Sequence, residues 1–292
     1  MSIPSFGRLV RFVPKSGSVV LIGEPTDKTL DIGAATLAGK DVEVSVFSGS
    51  SVLSPGSSTG KTEVIGRVLS PLAESEVGTI RCIGLNYVQH AREAKMALPD
   101  VPVLFTKPST ALADPYPAPT IIPKHTLKDD SCDYESELVI VIGKKCKNVI
   151  EAEVLEYVLG YTASNDVSSR TSQFAQSQWS FSKGFDGACP IGPVIVSKEL
   201  IPDVGKLHLR GLKNGRVMQD CGLDDLIFSV PKIVSFLSQG TTLNPGTIIL
   251  TGTPAGVGFG STPKEYLHKG DEFAVEILPY IGTLVTKFEA EK

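Results

Sequence analysis

No stretch of this sequence offers the roughly 20 consecutive apolar residues that a membrane-crossing helix needs. The N-terminus, MSIPSFGRLVRFVPK, lacks the apolar central region of a secretory signal. It does carry Arg8, Arg11 and Lys15 with no acid before Glu24, as a mitochondrial leader would. However, RLVRFV alternates like a strand and SVVLIGE follows as its hairpin partner. The expected location is therefore the cytosol, with the mitochondrion as the alternative. No Cys-x-x-Cys pair occurs among the five cysteines, Cys82, Cys132, Cys146, Cys189 and Cys221, which excludes a thiolate zinc site of the usual spacing. Their odd number in a long chain reads as reduced thiols rather than a disulfide framework. Basic clusters are missing too. Lys and Arg number 28 against 32 Asp and Glu, and the net charge of −4 excludes nucleic acid and anionic membranes as expected partners. SSTGKT lacks the first glycine of a phosphate-binding loop, and no helical pattern follows it.

What is present suits a β-rich chain. The 28 glycines and 20 prolines favour many turns over a helical bundle. A length of 292 residues allows one large domain, or a large one with a smaller companion. The expected division is a small N-terminal β domain over 1–72 and a main domain over 73–292. Within the first, GSVVLIGE, DVEVSVFSG and TEVIGRVLSP are short β-branched runs, and the Ser/Gly-rich 48–62 is an exposed loop. GTIRCIGLNY reads as a buried strand, and VQHAREAKMAL (88–98) as a helix stopped by Pro99. IEAEVLEYVLGYTASND reads as a helix running into a strand that ends near Asp166. Asn214-Gly215 is the strongest hairpin signal, and LIFSVPKIVSFLSQG an amphipathic helix closed by Gly240. Strands dominate, and no solenoid repeat is visible. The fold class expected is α+β, mainly β: an antiparallel core, rolled or sandwiched, with peripheral helices.

The stretch SCDYESELVIVIG (131–143) carries the chemistry. Side chains at i and i+2 of a strand share a face, so Glu135 and Glu137 point the same way. Such a pair is most often a wet strand edge. Here the unbroken run Leu138 to Ile142 argues for burial on both faces, where two like charges need a proton or a cation between them. Asp166, at the end of another candidate strand, adds a third carboxylate. Three oxygen ligands suit a hard cation, Mg²⁺ or Mn²⁺, and leave positions open to water and substrate.

Other residues are compatible with a site. His90 and Glu93 are neighbours at i and i+3 on a helix face, either a solvated surface or an oriented general base. Lys183 in SFSKGFDG is flanked by aromatics and glycines, an ordinary loop lysine or a ligand contact. TGTPAGVG (251–258) offers backbone amides and the hydroxyls of Thr251 and Thr253 to a carboxylate, or is simply a tight turn.

Taken together, IGLNYVQHAREA, FTKPSTAL, DYESELVIVIG, GYTASNDVSSR, SKGFDGACPIGP, NGRVMQD and LTGTPAGVGFG, in this order over about 80–280, resemble the short-domain branch of the fumarylacetoacetate hydrolase superfamily, to which macrophomate synthase is related. Residues 1–70 match only as its variable N-terminal unit. The resemblance implies a rolled mixed β-sheet and a homodimer. It implies Mg²⁺ or Mn²⁺ on Glu135, Glu137 and Asp166, an acid/base pair His90 and Glu93 on a lid segment, and an active-site lysine, Lys183. It further implies substrate contacts from Arg170, Gln173 and Thr253, with Asp133 a hydrogen-bonding neighbour rather than a ligand. The implied substrate is a small β-diketo or α-keto acid, and the implied reaction hydrolysis of an acylpyruvate C–C bond. Oxaloacetate decarboxylation and tautomerisation are the alternatives, with an inactive keto-acid-binding protein as the reading of a different class.

Overall fold

The computed structural model describes residues 5–292; the first four residues, where the leader reading begins, lie outside the described residues. The alternation of RLVRFV gives the strand Arg8–Pro14, which pairs antiparallel with Leu21–Pro25, Arg11 facing Ile22. The same strand pairs with Ser58–Leu69 and, at its start, with Cys189–Ser197. The N-terminal strands thereby continue into the main sheet, which has eleven strands.

From Cys189–Ser197 that sheet runs through Val158–Asn165, Ser136–Ile142, Ile248–Leu250 and Ile80–Gly84 to an edge at Val103–Lys107. Ile248–Leu250 lies parallel to Ile80–Gly84 while its other neighbour is antiparallel, so the sheet is mixed. A five-stranded sheet packs against it, in the order Arg216–Gly222, His208–Lys213, Glu272–Leu278, Gly282–Ala290 and Pro119–Ile122. Asn214 and Gly215, at φ of 50° and 78°, close the hairpin between its first two strands, the conformation that an Asn-Gly turn supplies cheaply.

The core strand Ser136–Ile142 is buried along its whole length. Leu138, Ile140 and Ile142 enter one apolar cluster with Phe273 and Val275; Val139 and Val141 enter another with Cys82 and Leu250. Burial on both faces is why the run has no polar alternation. Each of these side chains contributes about 1.5–3 kcal/mol on leaving water. Ordinary local structure follows the sequence signals elsewhere. The helix Val230–Ser238 starts at Ser229, whose hydroxyl accepts the Lys232 N–H, and ends before Gly240 at φ 67°.

Three local expectations change. The helix expected over 88–98 is only Val88–Glu93; Lys95 turns left-handed at φ 54°, and Met96 and Leu98 beyond it are exposed with no face to pack on. The helix before Asp166 is a 3-10 segment, Glu151–Glu156. The exposed loop expected to reach residue 62 gives way at Ser58, where pairing with Glu43–Phe47 extends the strand Ser58–Leu69.

Candidate active site

The ladder between the core strand and Val158–Asn165 sets Ser136 opposite Asn165 and Glu137 opposite Ser164. One step further, the Asp166 N–H donates to the Glu135 carbonyl at 2.8 Å. Residues paired in this way share a face with those at i+2, so Glu135, Glu137 and Asp166 converge. Each offers a carboxylate oxygen within 4.8 Å of the others, and all are buried.

Three cations meet these acids. Lys183 Nζ bridges Glu135 Oε2 at 2.7 Å and Asp166 Oδ2 at 2.9 Å. Arg170 Nη1 reaches Glu135 Oε1 at 2.7 Å and Gln173 Oε1 at 2.8 Å. Lys107, fully buried, approaches Asp166 Oδ1 to 2.5 Å. Burial raises the Glu135 carboxyl, but the charges of Lys183 and Arg170 outweigh it and hold the group at about 2. Glu137 has no such partner. Burial first, then the Asp166 and Glu135 charges, push its carboxyl well above the usual range. Among the described residues its one hydrogen bond is from the Gly252 N–H, at 2.6 Å. Lys183 is held firmly protonated: burial lowers its affinity for the proton, and Asp166 and Glu135 more than restore it.

The donor set fits a divalent cation. Lys107 lies 2.5 Å from Asp166 Oδ1 and also donates to the Ala188 carbonyl at 2.7 Å. Three buried, converging carboxylates, one of them destabilised by like charge, are a place where a hard cation is favourable. Glu135, Glu137 and Asp166 are the residues that would hold it.

A cavity of about 260 Å³ opens above this cluster. His90, Glu93, Glu135, Arg170, Gln173, Lys183 and Thr253 all line it, whereas Glu137 and Asp166 lie deeper. His90 Nδ1 is 3.1 Å from Glu93 Oε2, and Glu93 Oε1 accepts the Gly256 N–H at 3.0 Å. Partial burial raises the Glu93 carboxyl, but the His90 and Gly256 hydrogen bonds leave it below its usual value. The Thr253 hydroxyl is already engaged, donating to the Ser136 carbonyl at 3.0 Å and accepting from Gln219 Nε2 at 2.8 Å.

Several residues here were invisible as site residues in the sequence. Lys107 belongs to FTKPSTAL, and its apolar lead-in was the one signal that it is buried. Phe105 and Trp179 meet edge to face at 5.6 Å, and Lys183 Nζ lies 5.1 Å from the Phe105 ring. Gly84 makes room for Trp179, since a Cβ there would fall 2.3 Å from the indole. Phe174 and Phe259 pair at 4.6 Å on the same cavity, with Met96 beside them in the lining. These aromatics come from separate segments with no shared pattern.

The family model for the C-terminal domain of fumarylacetoacetate hydrolase matches residues 79–289. The chain belongs to the fumarylacetoacetate hydrolase family. It is 45% identical to a caffeoylpyruvate hydrolase from Neonothopanus nambi over 99% of this chain and 95% of that one. It is 37% identical to a mitochondrial oxaloacetate tautomerase from Rattus norvegicus, over 70% of this chain and 64% of that one. Among solved structures it resembles a 2-hydroxyhepta-2,4-diene-1,7-dioate isomerase from Mycobacterium marinum, with a TM-score of 0.78 and 32% identity over 98% of this chain and 99% of that one. The mainly β architecture is thus that of this family, whose members named here are enzymes acting on small keto or enol acids.

Proposed function

We propose that this member of the family hydrolyses an acylpyruvate whose acyl group is apolar and aromatic, giving a carboxylic acid and pyruvate. The observation that carries the reading is one cavity lined by both charged and aromatic side chains, which we read as a charged end and an aromatic end. Glu135, Arg170, Lys183 and the His90–Glu93 pair supply the charge; Phe105, Trp179, Phe174, Phe259 and Met96 supply the apolar surface. A 2-oxo carboxylate suits the former and an aromatic ring the latter.

A divalent cation, Mg²⁺ or Mn²⁺, held by Glu135, Glu137 and Asp166 would supply Lewis-acid polarisation at the charged end. The rest is the work of the chain's own side chains. Arg170 has a buried Nη2 with no partner, a ready donor to the substrate carboxylate. Gln173, already bonded to Arg170, keeps it oriented. Thr253 can join only by turning its hydroxyl hydrogen away from Ser136. His90, oriented through Nδ1 by Glu93, has Nε2 free to take a proton from water. The resulting hydroxide adds to the acyl carbonyl. The C–C bond then breaks, and its electron pair leaves as pyruvate enolate beside the Lys183 ammonium. Protonation of the enolate carbon completes pyruvate.

A second reading has support from the tautomerase relatives: His90 moves a proton on oxaloacetate and no water attacks. Decarboxylation would use the same dry site. A homodimer fits the exposed Val101, Val103 and Leu104 at the sheet edge. A soluble setting in cytosol or mitochondrion fits the lack of any helix long and apolar enough to cross a membrane among the described residues. A division into a small N-terminal unit over 1–72 and a catalytic domain over 73–292 fits a family match that begins at 79 and a cavity lined, among the described residues, from Ile83 onward.

The test is a paired assay of the Mg²⁺-loaded protein on benzoylpyruvate and oxaloacetate, with an EDTA control. Benzoate and pyruvate from the first, lost with EDTA, is the expected result. Turnover of oxaloacetate alone would replace hydrolysis by the second reading.

A further inference from the structure

Asp133 begins the acidic motif yet takes no part in the three-carboxylate cluster. Its side chain is nevertheless fully buried. Oδ1 accepts the Tyr134 and Gly258 N–H groups, each at 2.8 Å. Oδ2 accepts the Phe259 N–H at 2.8 Å and Arg170 Nε at 2.7 Å. Four donors saturate an ionised carboxylate, which can only accept.

The donors lead in two directions. Arg170 leads inward to Glu135. The loop 256–260 leads outward to the lid helix Val88–Glu93. Its Gly256 N–H holds Glu93 Oε1, and Gly260 lies so close that a Cβ would fall 2.9 Å from the Glu93 carboxylate. At Gly258 a Cβ would come within 2.5 Å of Asp133 Oδ1. The loop is therefore wedged between two carboxylates, one deep and one at the cavity mouth.

We propose that Asp133 is a positioning residue that ties the acid/base pair to the charged floor of the site. It touches neither substrate nor cation. By fixing the loop 256–260 it fixes Glu93, and through Glu93 the ring of His90. This rests on the proposed function in one respect only, that His90 and Glu93 move the proton.

Asp133→Asn weakens the outward connection and keeps the inward one. The amide keeps one oxygen, which the Arg170 guanidinium claims as the strongest donor together with the Phe259 N–H. The NH₂ then faces the Tyr134 and Gly258 N–H groups, which lose their acceptor. The expected results are faster hydrogen exchange at Gly258 and a kcat lower by about 100-fold, the scale of a small misplacement of catalytic groups. Mn²⁺ affinity and KM change little, because Arg170 stays in place. In a Glu93→Gln background the same substitution costs almost nothing further, since the group it positions is already disabled. Gly260→Ala, which crowds Glu93 with Asp133 intact, gives the same kcat loss with Gly258 still protected. Unchanged protection at Gly258, full kcat in Gly260→Ala, or an equal loss in the Glu93→Gln background would each overturn the proposal. Were neither keto acid turned over, exchange at Gly258 in Asp133→Asn would decide the connection separately from the reaction.

Discussion

The floor and the mouth of the site differ in burial. At the floor, Glu137 and Asp166 stand on or just past strands held by ladders on both sides, Lys107 ends the edge strand and Lys183 a short helix, and all four are at most 2% exposed. At the mouth, the side chains of His90 and Glu93 keep 18% and 26% exposure on a helix of six residues. A helix that short owes little to its own hydrogen bonds. It is held by the loop 256–260 and by the Asp225 carboxylate, which accepts the Gln89 N–H at 2.9 Å. Fixed charges act most strongly where no water can relax around them. A proton carrier has to meet water and admit substrate, and the role proposed for His90 and Glu93 suits a short, partly exposed helix.

That contrast can be broken from either end. Asp166→Asn should abolish turnover, because it removes one of the three converging carboxylate charges that would hold the cation, while circular dichroism still reports the native fold. Retained activity would detach the floor from catalysis. His90→Ala should lower kcat by roughly two to four orders of magnitude, the range for a general acid or base. An unchanged kcat would reduce the lid helix to surface. Trp179→Ala should lower kcat/KM for benzoylpyruvate by about tenfold, the worth of one aromatic contact, and spare acetylpyruvate. An equal loss on both substrates would deny the aromatic end its selectivity. The smallest effect concerns stability. Glu137→Gln removes one of three mutually repelling carboxylates and keeps an oxygen for the Gly252 N–H, so the metal-free melting temperature should not fall. A clear drop would mean that an ionised Glu137 is stabilised by its neighbours without metal.

The same contrast governs how much of the molecule was legible in its sequence. The floor was readable because a strand has period 2. Glu135 and Glu137 followed by five apolar residues pointed to a buried pair, and Asp166 falls just past the end of the neighbouring strand. The fold class followed from the density of β-branched runs and turn residues, and the Asn214-Gly215 hairpin from its turn chemistry. The mouth was less readable. Helical composition continued past Glu93 to Leu98, but the helix did not: Lys95 turns left-handed, and Met96 and Leu98 stay about half exposed, at 54% and 52%. The strand Ser58–Leu69 overrode a Ser/Gly-rich composition by pairing with Glu43–Phe47. Lys107, Phe105, Trp179, Phe174 and Phe259 reach the site from four separate segments, and the tertiary fold alone assembles them. Asp133 stood in the quoted motif as a hydrogen-bonding neighbour; its partners at Gly258 and Phe259 lie far along the chain and left no local mark.

The most direct measurement is a calorimetric titration of Mn²⁺ into the wild-type protein, Asp166→Asn and His90→Ala, with turnover recorded on the same samples. The account predicts that His90→Ala binds the ion as the wild type does and turns over poorly, while Asp166→Asn neither binds nor turns over. Equal Mn²⁺ binding by Asp166→Asn, or its loss in His90→Ala, would contradict a site divided into a fixed cation floor and a separate proton-carrying lid.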